Sequence, residues 1–355
     1  MSTATAQQAT PTTSARAGPR PLTHGPHAQS AEPFGTIDFT SVSKEESYRV
    51  LSNAATTTGV ALISALPVRP PMAAIQALFA RLYADAVLVS RLNATYPKRG
   101  VFKNACLAPD ASSKIDQKTT IDLSINRLKS IRTLDPTLDQ ELGKDFQDIL
   151  NFYTYVENYL LPIVTHATAS ISGADLKPIH TGTNNHLRLI DYFPSPDPPA
   201  PRCGEHRDYN TYMIVFQDGA VGGLELEVDG TWTSIPKNVD AVVTWGWCGA
   251  ILTNNVVKAA KHRVLKTWPS TERRTTAVVF VAPELNTPLK PMGGLEKGID
   301  DWSREIRDGR MTVGAFKEVI AKKWRRREGN EPGEVIQGEQ GREVGAFLKP
   351  TQVSS

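Results

Sequence analysis

Cysteine is scarce in this sequence, with three residues among 355. Cys106, Cys203 and Cys248 are odd in number and far apart, which is not the pattern of a disulfide framework. The sequence therefore predicts a protein of a reducing compartment, and we expect a cytoplasmic location. Stability must then come from a hydrophobic core, for which a chain of this length is sufficient.

Long apolar runs are absent as well. The longest, over residues 59–68, has roughly half of the ~20 residues that a membrane-spanning helix requires, so no membrane partner is expected. Residues 1–31 contain no acidic residue and are rich in Ser, Thr, Ala and Pro. This composition predicts a disordered tail, while an organelle-targeting peptide stays open as the alternative, although the prolines oppose an amphipathic helix.

A strong charge of either sign is also missing. The 40 basic residues stand against 37 acidic residues, which gives a formal net charge of +3 at pH 7. This balance does not supply the basic surface that neutralises nucleic-acid phosphates. We therefore expect a small-molecule substrate, no nucleic-acid partner, and a monomer or weak oligomer.

Hydrophobic periodicity divides the chain into a mixed N-terminal part and a β-rich part. The first part is predicted to contain strands over 34–39 and 60–66 and helices over 44–58, 73–84 and 142–167. Short alternating runs then predict strands over 186–193, 211–217, 224–228, 231–235, 241–245, 250–253, 262–267 and 275–282. Helices are predicted again over 303–308 and 313–327.

Short strands without intervening helices indicate a jelly-roll rather than a parallel α/β sheet. No internal repeat is present in the sequence. We predict an α+β fold with a mainly β core, a double-stranded β-helix flanked by helices. The predicted organisation is a disordered tail, an N-terminal region, a long supporting helix, the β core, and C-terminal helices with a mobile tail, over residues 1–31, 32–135, 136–180, 181–290 and 291–355.

A His-x-Asp pair and a distant histidine form a candidate metal site in the β-rich part. His206 and Asp208 are two residues apart, so their side chains project to the same face of an extended chain, and His262 opens a later predicted strand. Two imidazoles and one carboxylate leave positions open on Fe(II), whereas structural zinc takes four protein ligands. The alternatives are a surface turn plus a core histidine, and a thiolate ligand from Cys203.

A basic residue and a hydroxyl follow the second histidine. Arg273 lies eleven residues after His262, and Thr275 follows two residues later. Their side chains are predicted to lie on one face of a strand. A guanidinium offers two parallel hydrogen bonds to a carboxylate, and a hydroxyl adds a third. We therefore predict that Arg273 and Thr275 bind a distal carboxylate of a co-substrate, while Arg274 points to the other side and is solvated. A surface salt bridge is the alternative for Arg273.

Further motifs surround these residues. They are TIDF at 36–39, LRLIDYFP at 187–194, HRDY at 206–209, QD at 217–218, GGLEL at 222–226, DGTW at 229–232, LTNN at 252–255, KAAKHRV at 258–264 and ERRT at 272–275. Together they resemble the isopenicillin-N-synthase-like superfamily of iron(II)- and 2-oxoglutarate-dependent dioxygenases. The Tyr-Phe-Pro sequence at 192–194 is also similar to that of deacetoxycephalosporin C synthase.

The resemblance implies an oxidoreductase that uses Fe(II), with 2-oxoglutarate and O2 as co-substrates. It implies oxidation of a small metabolite by hydroxylation, desaturation or oxidative ring expansion, in natural-product biosynthesis. The metal ligands and catalytic centre would be His206, Asp208 and His262, and 2-oxoglutarate would be held by Arg273 and Thr275.

Four further residues are candidate substrate contacts. Asp191 and Phe193 alternate along a predicted strand, which we expect to turn both side chains toward the iron. Tyr209 follows the His-x-Asp pair, and Asn185 precedes the strand. In the superfamily that these motifs resemble, Asn often stands at the position of Asp191 and Tyr at that of Phe193. We therefore expect these two positions to distinguish this chain from other members.

Two other functions remain open from the sequence. The same superfamily includes oxidases that do not use 2-oxoglutarate, in which the Arg-x-Ser pair binds the substrate's own carboxylate. The second alternative is a non-catalytic binding protein built on the same β core. Succinate release would distinguish the first from the predicted dioxygenase, and failure to bind Fe(II) would indicate the second.

Overall fold

The structure is a computed structural model. It describes residues 33–97, 100–104, 118–194, 202–219, 221–265, 272–295 and 302–327. The predicted tail over residues 1–31 and the end of the chain after residue 327 lie outside the described residues, as does Cys106.

The described chain begins with a strand, a helix and a parallel strand. They are β1 (Gly35–Asp38), α1 (Lys44–Thr57) and β2 (Val60–Ala65). Ser43 begins α1 because its side chain accepts a hydrogen bond from a backbone N–H of the first turn. Gly59 ends it with a left-handed φ of +72°, a conformation that glycine adopts without strain. The predicted elements of this part are confirmed.

A helical layer follows, interrupted by a short antiparallel pair of strands. Its elements are α2 (Met72–Ala84), α3 (Ala86–Ala94), β3 (Phe102–Asn104), β4 (Thr119–Ser124), α4 (Ile125–Leu134), α5 (Pro136–Glu141), α6 (Gly143–Tyr155) and α7 (Leu161–Ser172). The long helix predicted over 142–167 is present, but a π-helical turn (Val156–Leu160) joins α6 to α7. Pro162 lies just after this turn and has no N–H with which to continue the regular ladder.

The β-rich part contains most of the predicted strands and one helix in their midst. Its elements are β5 (His186–Tyr192), β6 (Cys203–His206), β7 (Tyr212–Gln217), β8 (Leu224–Val228), β9 (Thr231–Ser234), β10 (Ala241–Trp245), α8 (Trp247–Leu252), β11 (His262–Val264), β12 (Arg274–Val281), α9 (Arg304–Arg307) and α10 (Val313–Arg327). The strand predicted over 250–253 is wrong, because these residues belong to α8 and its end.

The described strands form two sheets. The larger has the order β1-β2-β10-β7-β12-β5-β4-β3, and the smaller has the order β6-β11-β8-β9. This arrangement, with helices packed on the larger sheet, confirms the predicted double-stranded β-helix flanked by helices. The N-terminal strands β1 to β4 belong to the same sheet as the predicted core, so the predicted regions 32–135 and 181–290 share one sheet.

Each side of the larger sheet packs against a different layer. One apolar cluster joins it to α2, α6 and α7, and another joins it to the smaller sheet. We call these sides the helix face and the inner face. In β12, Ala277 and Val279 lie on the helix face, whereas Val278 and Phe280 lie on the inner face. This alternation fixes which polar residues of the strand can reach a site between the sheets.

Among the described helices, no single one has the length and apolarity needed to cross a membrane. The pair α2 and α3 meets that test only when both are taken together, and the two are bent by 103° at the break between them.

Candidate metal and co-substrate site

Two strands of the smaller sheet bring the histidines together. His206 ends β6 and His262 opens β11, and the two are direct partners in the antiparallel register. Their ring centroids are 4.2 Å apart, with 55° between the ring planes. The pairing of two short strands thus converts a separation along the chain into direct side-chain proximity.

Asp208 completes the cluster. Its Oδ1 lies 3.8 Å from His206 Nε2 and its Oδ2 lies 3.5 Å from His262 Nε2. One ligand atom from each of the three residues lies within 4.8 Å of the others. The side chains of His206, Asp208 and His262 are 9%, 18% and 7% exposed, so the site is nearly enclosed while an opening remains.

Backbone carbonyl groups orient both imidazoles. His206 Nδ1 is 2.7 Å from the carbonyl oxygen of Gly204, and His262 Nδ1 is 3.4 Å from that of Ala260. Because a carbonyl oxygen only accepts, each Nδ1 carries the proton and each Nε2 directs a lone pair to the shared centre. This is the tautomer that a metal requires.

The carboxyl group of Asp208 also fits a cation. Burial raises its pKa, while the positive charges of Arg188 and Lys118 lower it. Oδ2 is buried and has no hydrogen-bond partner among the described residues. A divalent cation would satisfy this atom, and two imidazoles with one carboxylate are a donor set that suits iron. Cys203 is not part of the cluster.

Helix α8 supports the segment that carries Asp208. The backbone N–H of Trp247 donates to the carbonyl oxygen of Asp208 at 2.9 Å, and that of Cys248 donates to Tyr209 at 3.0 Å. A Cβ on Gly246 would lie 2.7 Å from the carbonyl oxygen of Asp208, so only glycine permits this approach. This support is not visible in the sequence, where the apolar residues 250–253 predict a strand.

The two arginines at the start of β12 have opposite surroundings. Arg274 is 1% exposed, so the expectation that it is solvated is wrong. Arg273 precedes the strand, its side chain is 38% exposed, and its Nε lies 3.4 Å from Asp191 Oδ1. Its guanidinium carbon is also 5.6 Å from the ring centre of Tyr83 of α2. Arg273 therefore faces the helices.

Thr275 and Asp191 share the helix face with Arg273. They are direct partners in the pairing of β12 with β5. The hydroxyl of Tyr83 donates to Asp191 Oδ2 at 2.6 Å. The predicted orientation of Asp191 toward the iron is therefore wrong, and the positions of Arg273 and Thr275 do not fit a ligand between the sheets. Because side chains alternate along a strand, a prediction that is displaced by one residue places all the chosen side chains on the opposite face of the sheet.

The inner face carries a second arginine and threonine pair. Arg274 is paired with Tyr192, and Thr276 with Ile190, and both partners belong to the apolar cluster between the sheets. The Arg274 guanidinium carbon lies 5.3 Å from the Tyr192 ring centre. The sequence predicts no binding role for Arg274, Thr276 or Tyr192, although each is one residue away from a predicted site residue.

Buried donors of this pair fit an anion. Arg274 Nε and Nη2 and the Thr276 hydroxyl are buried and have no hydrogen-bond partner in the part of the chain that the structure describes. Burial lowers the pKa of Arg274, and the charge of Arg274 contributes to lowering that of the buried Arg202. A buried cation without an anion is costly, so a carboxylate ligand at Arg274 would relieve this cost.

The remaining predicted contacts differ in their surroundings. Tyr209 follows Asp208, is half-buried, and donates from its hydroxyl to Asn184 Oδ1 at 3.4 Å. Asn185 is buried, with Oδ1 lacking a hydrogen-bond partner among the described residues. Phe193 follows β5 and is half-buried. Tyr209 alone of these three is adjacent in the chain to a predicted metal ligand.

A double-stranded β-helix with two histidines and an aspartate gathered between its sheets defines a class of metal-dependent oxygenases. Residues 183–283 match the family model of the 2OG-Fe(II) oxygenase superfamily. This part of the chain is therefore a domain of that superfamily, as the sequence motifs predict.

A curated relative is similar to part of the chain. Gibberellin 20 oxidase 3 of Arabidopsis thaliana is 28% identical over 225 residues, which cover 60% of this chain and 58% of the relative. The match thus spans less than two thirds of that relative's length.

Two solved structures share the fold. The dioxygenase for auxin oxidation in rice has a TM-score of 0.61 at 18% identity, over 89% of this chain and 99% of that one. The 2-oxoglutarate complex of dioxygenase for auxin oxidation 1 from Arabidopsis thaliana has a TM-score of 0.58 at 19% identity, over 73% of this chain and 96% of that one.

Proposed function

We propose that the chain is a non-haem Fe(II)- and 2-oxoglutarate-dependent dioxygenase that oxidises a small metabolite. The observation that carries the proposal is the presence, between the same two sheets, of the His206, Asp208 and His262 cluster and of the buried Arg274 donors that lack a partner among the described residues. A metal site alone would fit several activities, whereas a metal site with a buried carboxylate receptor fits a keto-acid co-substrate.

In this proposal, His206, Asp208 and His262 hold Fe(II). The bound metal supplies the centre at which O2 and 2-oxoglutarate react. The chain's own contribution is orientation: two Nδ1–H groups held by carbonyl oxygens fix the imidazoles, and α8 fixes the backbone of Asp208.

Arg274 and Thr276 take the role that the sequence assigned to Arg273 and Thr275. The Arg274 guanidinium binds the distal carboxylate of 2-oxoglutarate, and the Thr276 hydroxyl donates a further hydrogen bond. Tyr192 covers the guanidinium and excludes water from the ion pair. Holding this end fixes where the keto acid end of the molecule lies relative to the metal ligands.

The substrate class is a small metabolite, and the outcome is hydroxylation, desaturation or oxidative ring expansion. The names of the similar proteins, a gibberellin oxidase and two dioxygenases for auxin oxidation, support substrates of natural-product size. We further propose a monomer or weak oligomer in the cytoplasm.

The proposal is tested by measuring succinate formation by purified protein with Fe(II), 2-oxoglutarate and O2 across a panel of candidate metabolites. We expect a subset of the panel to stimulate succinate formation, with one oxidised product formed for each succinate. Oxidation of a panel member without 2-oxoglutarate would contradict the proposal and indicate an oxidase of the same fold.

A further inference from the structure

Arg207 stands between the two proposed metal ligands His206 and Asp208. In an extended chain, the residue between two side chains of one face projects to the opposite face. The side chain of Arg207 lines a cavity of about 500 Å³, together with residues of α8 and of the segment that precedes His262. Arg207 therefore points away from the metal ligands on either side of it.

The guanidinium group of Arg207 reaches the segment that leads to His262. Its Nε donates a hydrogen bond to the carbonyl oxygen of Ala259 at 2.9 Å. The next residue, Ala260, has its carbonyl oxygen 3.4 Å from His262 Nδ1. One side chain thus connects the segment that carries two of the ligands with the segment that orients the third.

The same side chain also contacts α8. The guanidinium carbon of Arg207 lies 5.6 Å from the ring centre of Trp247, and a guanidinium is attracted to the face of an indole ring. The backbone N–H of Trp247 donates to the carbonyl oxygen of Asp208 at 2.9 Å. Arg207 therefore contacts the groups that support Asp208 as well as those that support His262.

The segment of residues 258–260 borders the cavity. The backbone N–H groups of Lys258 and Ala260 each donate to a carbonyl oxygen of another element at 2.9 Å, and the bond from Arg207 to Ala259 adds a restraint from a side chain. Because the cavity leaves space beside this segment, the carbonyl group of Ala259 can turn away once that bond is lost. The orientation of the His262 ring then changes with it.

We propose that Arg207 is a positioning residue of the metal site. Its side chain ties the segment of His206 and Asp208 to the segment before His262, so that the three ligand atoms keep the spacing that a metal requires. Arg207 itself does not touch the metal. This inference rests on the proposed dioxygenase function and adds a residue on the outer side of its metal site.

The test compares two substitutions that differ at the atom that makes the bond. Metal-free protein is titrated calorimetrically with Co(II), for the wild type, Arg207→Met and Arg207→Gln. A glutamine amide can place a donor where Arg207 Nε stands, whereas methionine keeps the stem without a donor. We expect Arg207→Met to weaken Co(II) binding by about tenfold, and Arg207→Gln to retain most of the affinity.

Arg263→Met is the matched control. Arg263 also follows a proposed ligand, His262, and its guanidinium carbon lies 4.1 Å from the ring centre of Trp232. Its Nε, however, donates to the side chain of Glu225 at 2.8 Å and does not join two ligand segments. Arg263→Met should therefore bind Co(II) as the wild type does.

The visible absorption of bound Co(II) at saturating metal is the second readout, because it depends on the arrangement of the ligands. Arg207→Met should change this spectrum, whereas Arg207→Gln and Arg263→Met should not. A loss of stability alone would leave the spectrum unchanged. Urea unfolding of the metal-free proteins checks that each variant folds, and Arg207→Leu takes the place of Arg207→Met if that variant does not.

A wild-type Co(II) spectrum in Arg207→Met would overturn the proposal, whatever its affinity. An equal change of affinity or spectrum in Arg263→Met would overturn it as well. Failure of the proposed dioxygenase function would instead appear as a wild type that does not bind Co(II).

Discussion

Arg273 and Arg274 are neighbours in the chain but lie on opposite faces of the larger sheet. Arg273 pairs with Asp191 and contacts α2, whereas Arg274 is buried beneath Tyr192 on the inner face. Because the two side chains are chemically identical, a difference in 2-oxoglutarate binding between their substitutions would show which face of the sheet holds the co-substrate. The pair therefore forms a matched experiment within the protein.

We expect Arg274→Gln to raise the KM for 2-oxoglutarate by about a hundredfold, because it removes the charged partner of a desolvated carboxylate. Arg273→Gln removes the same charge from a partly exposed pair and should change this KM by less than about threefold. Steady-state succinate formation at varied 2-oxoglutarate concentration measures both. Equal changes in the two variants would contradict the assignment to Arg274.

Asp122 makes stability depend on pH. Its folded-state pKa lies far below the unfolded value of about 3.9, so its ionised form stabilises the fold above that pH and the contribution is lost as the pH falls. Asp122→Asn leaves the cations of Arg188, Lys103 and Arg127 around a neutral group and should lower the free energy of unfolding by about 3 kcal/mol at pH 7.

Urea unfolding of the wild type and of Asp122→Asn across pH measures this contribution. The difference in unfolding free energy should be constant near neutral pH and shrink below about pH 4. A difference of the same size at pH 3 and pH 7 would show that Asp122 acts through packing rather than through charge.

Among the elements, α8 supports the backbone of Asp208, the proposed carboxylate ligand of the metal. A Cβ on Gly246 would lie 2.5 Å from the carbonyl oxygen of Asn210 and 2.7 Å from that of Asp208, so one of these backbone groups must move. We expect Gly246→Ala to weaken Mn(II) binding by about tenfold, as changes in groups that support metal ligands do.

Gly222→Ala is the control for this substitution. Its added Cβ would meet the flexible side chain of Lys237 at 3.3 Å rather than backbone, so metal affinity should remain that of the wild type. Isothermal titration with Mn(II) measures both variants. An unchanged affinity in Gly246→Ala would show that α8 does not position Asp208.

The sequence predicts many of the elements correctly, but not all of them. The α1 and α10 helices and most strands of the β-rich part were predicted within one or two residues. The six-residue helix α8 was predicted as a strand, because a short apolar run has no period that separates the two. Strands β3, β4 and β6, of three to six residues, were also missed, although other strands of this length were predicted.

The candidate metal site could be predicted from the sequence where the spacing of residues along the chain determines the direction of their side chains. His206 and Asp208 share a face by their spacing alone, and the pairing of β6 with β11 adds His262 as expected. The pair that we propose to bind 2-oxoglutarate, Arg274 and Thr276, lies one residue after the predicted pair. Every residue of β12 is buried, so its sequence does not show which alternate set faces inward. Only the packing of both faces in the fold resolves that question.

At the scale of the whole molecule, the larger sheet separates two environments. Its helix face holds the Tyr83, Asp191 and Arg273 contacts, whereas Arg274 lies on its inner face, toward the smaller sheet that carries His206 and His262. Burial of Arg274 and of the two histidines lowers the local dielectric constant, which strengthens interactions with ligands. Metal and co-substrate would thus be bound between one pair of sheets.

In the proposed dioxygenase, 2-oxoglutarate is oxidised at the cluster of His206, Asp208 and His262. The decisive measurement is Fe(II)-dependent conversion of 2-oxoglutarate to succinate under O2, without primary substrate, alongside Mn(II) binding. The wild type should bind one Mn(II) and form succinate slowly, whereas His262→Ala and Asp208→Ala should lose both properties while unfolding cooperatively. Succinate formation by either variant at the wild-type rate would contradict the account.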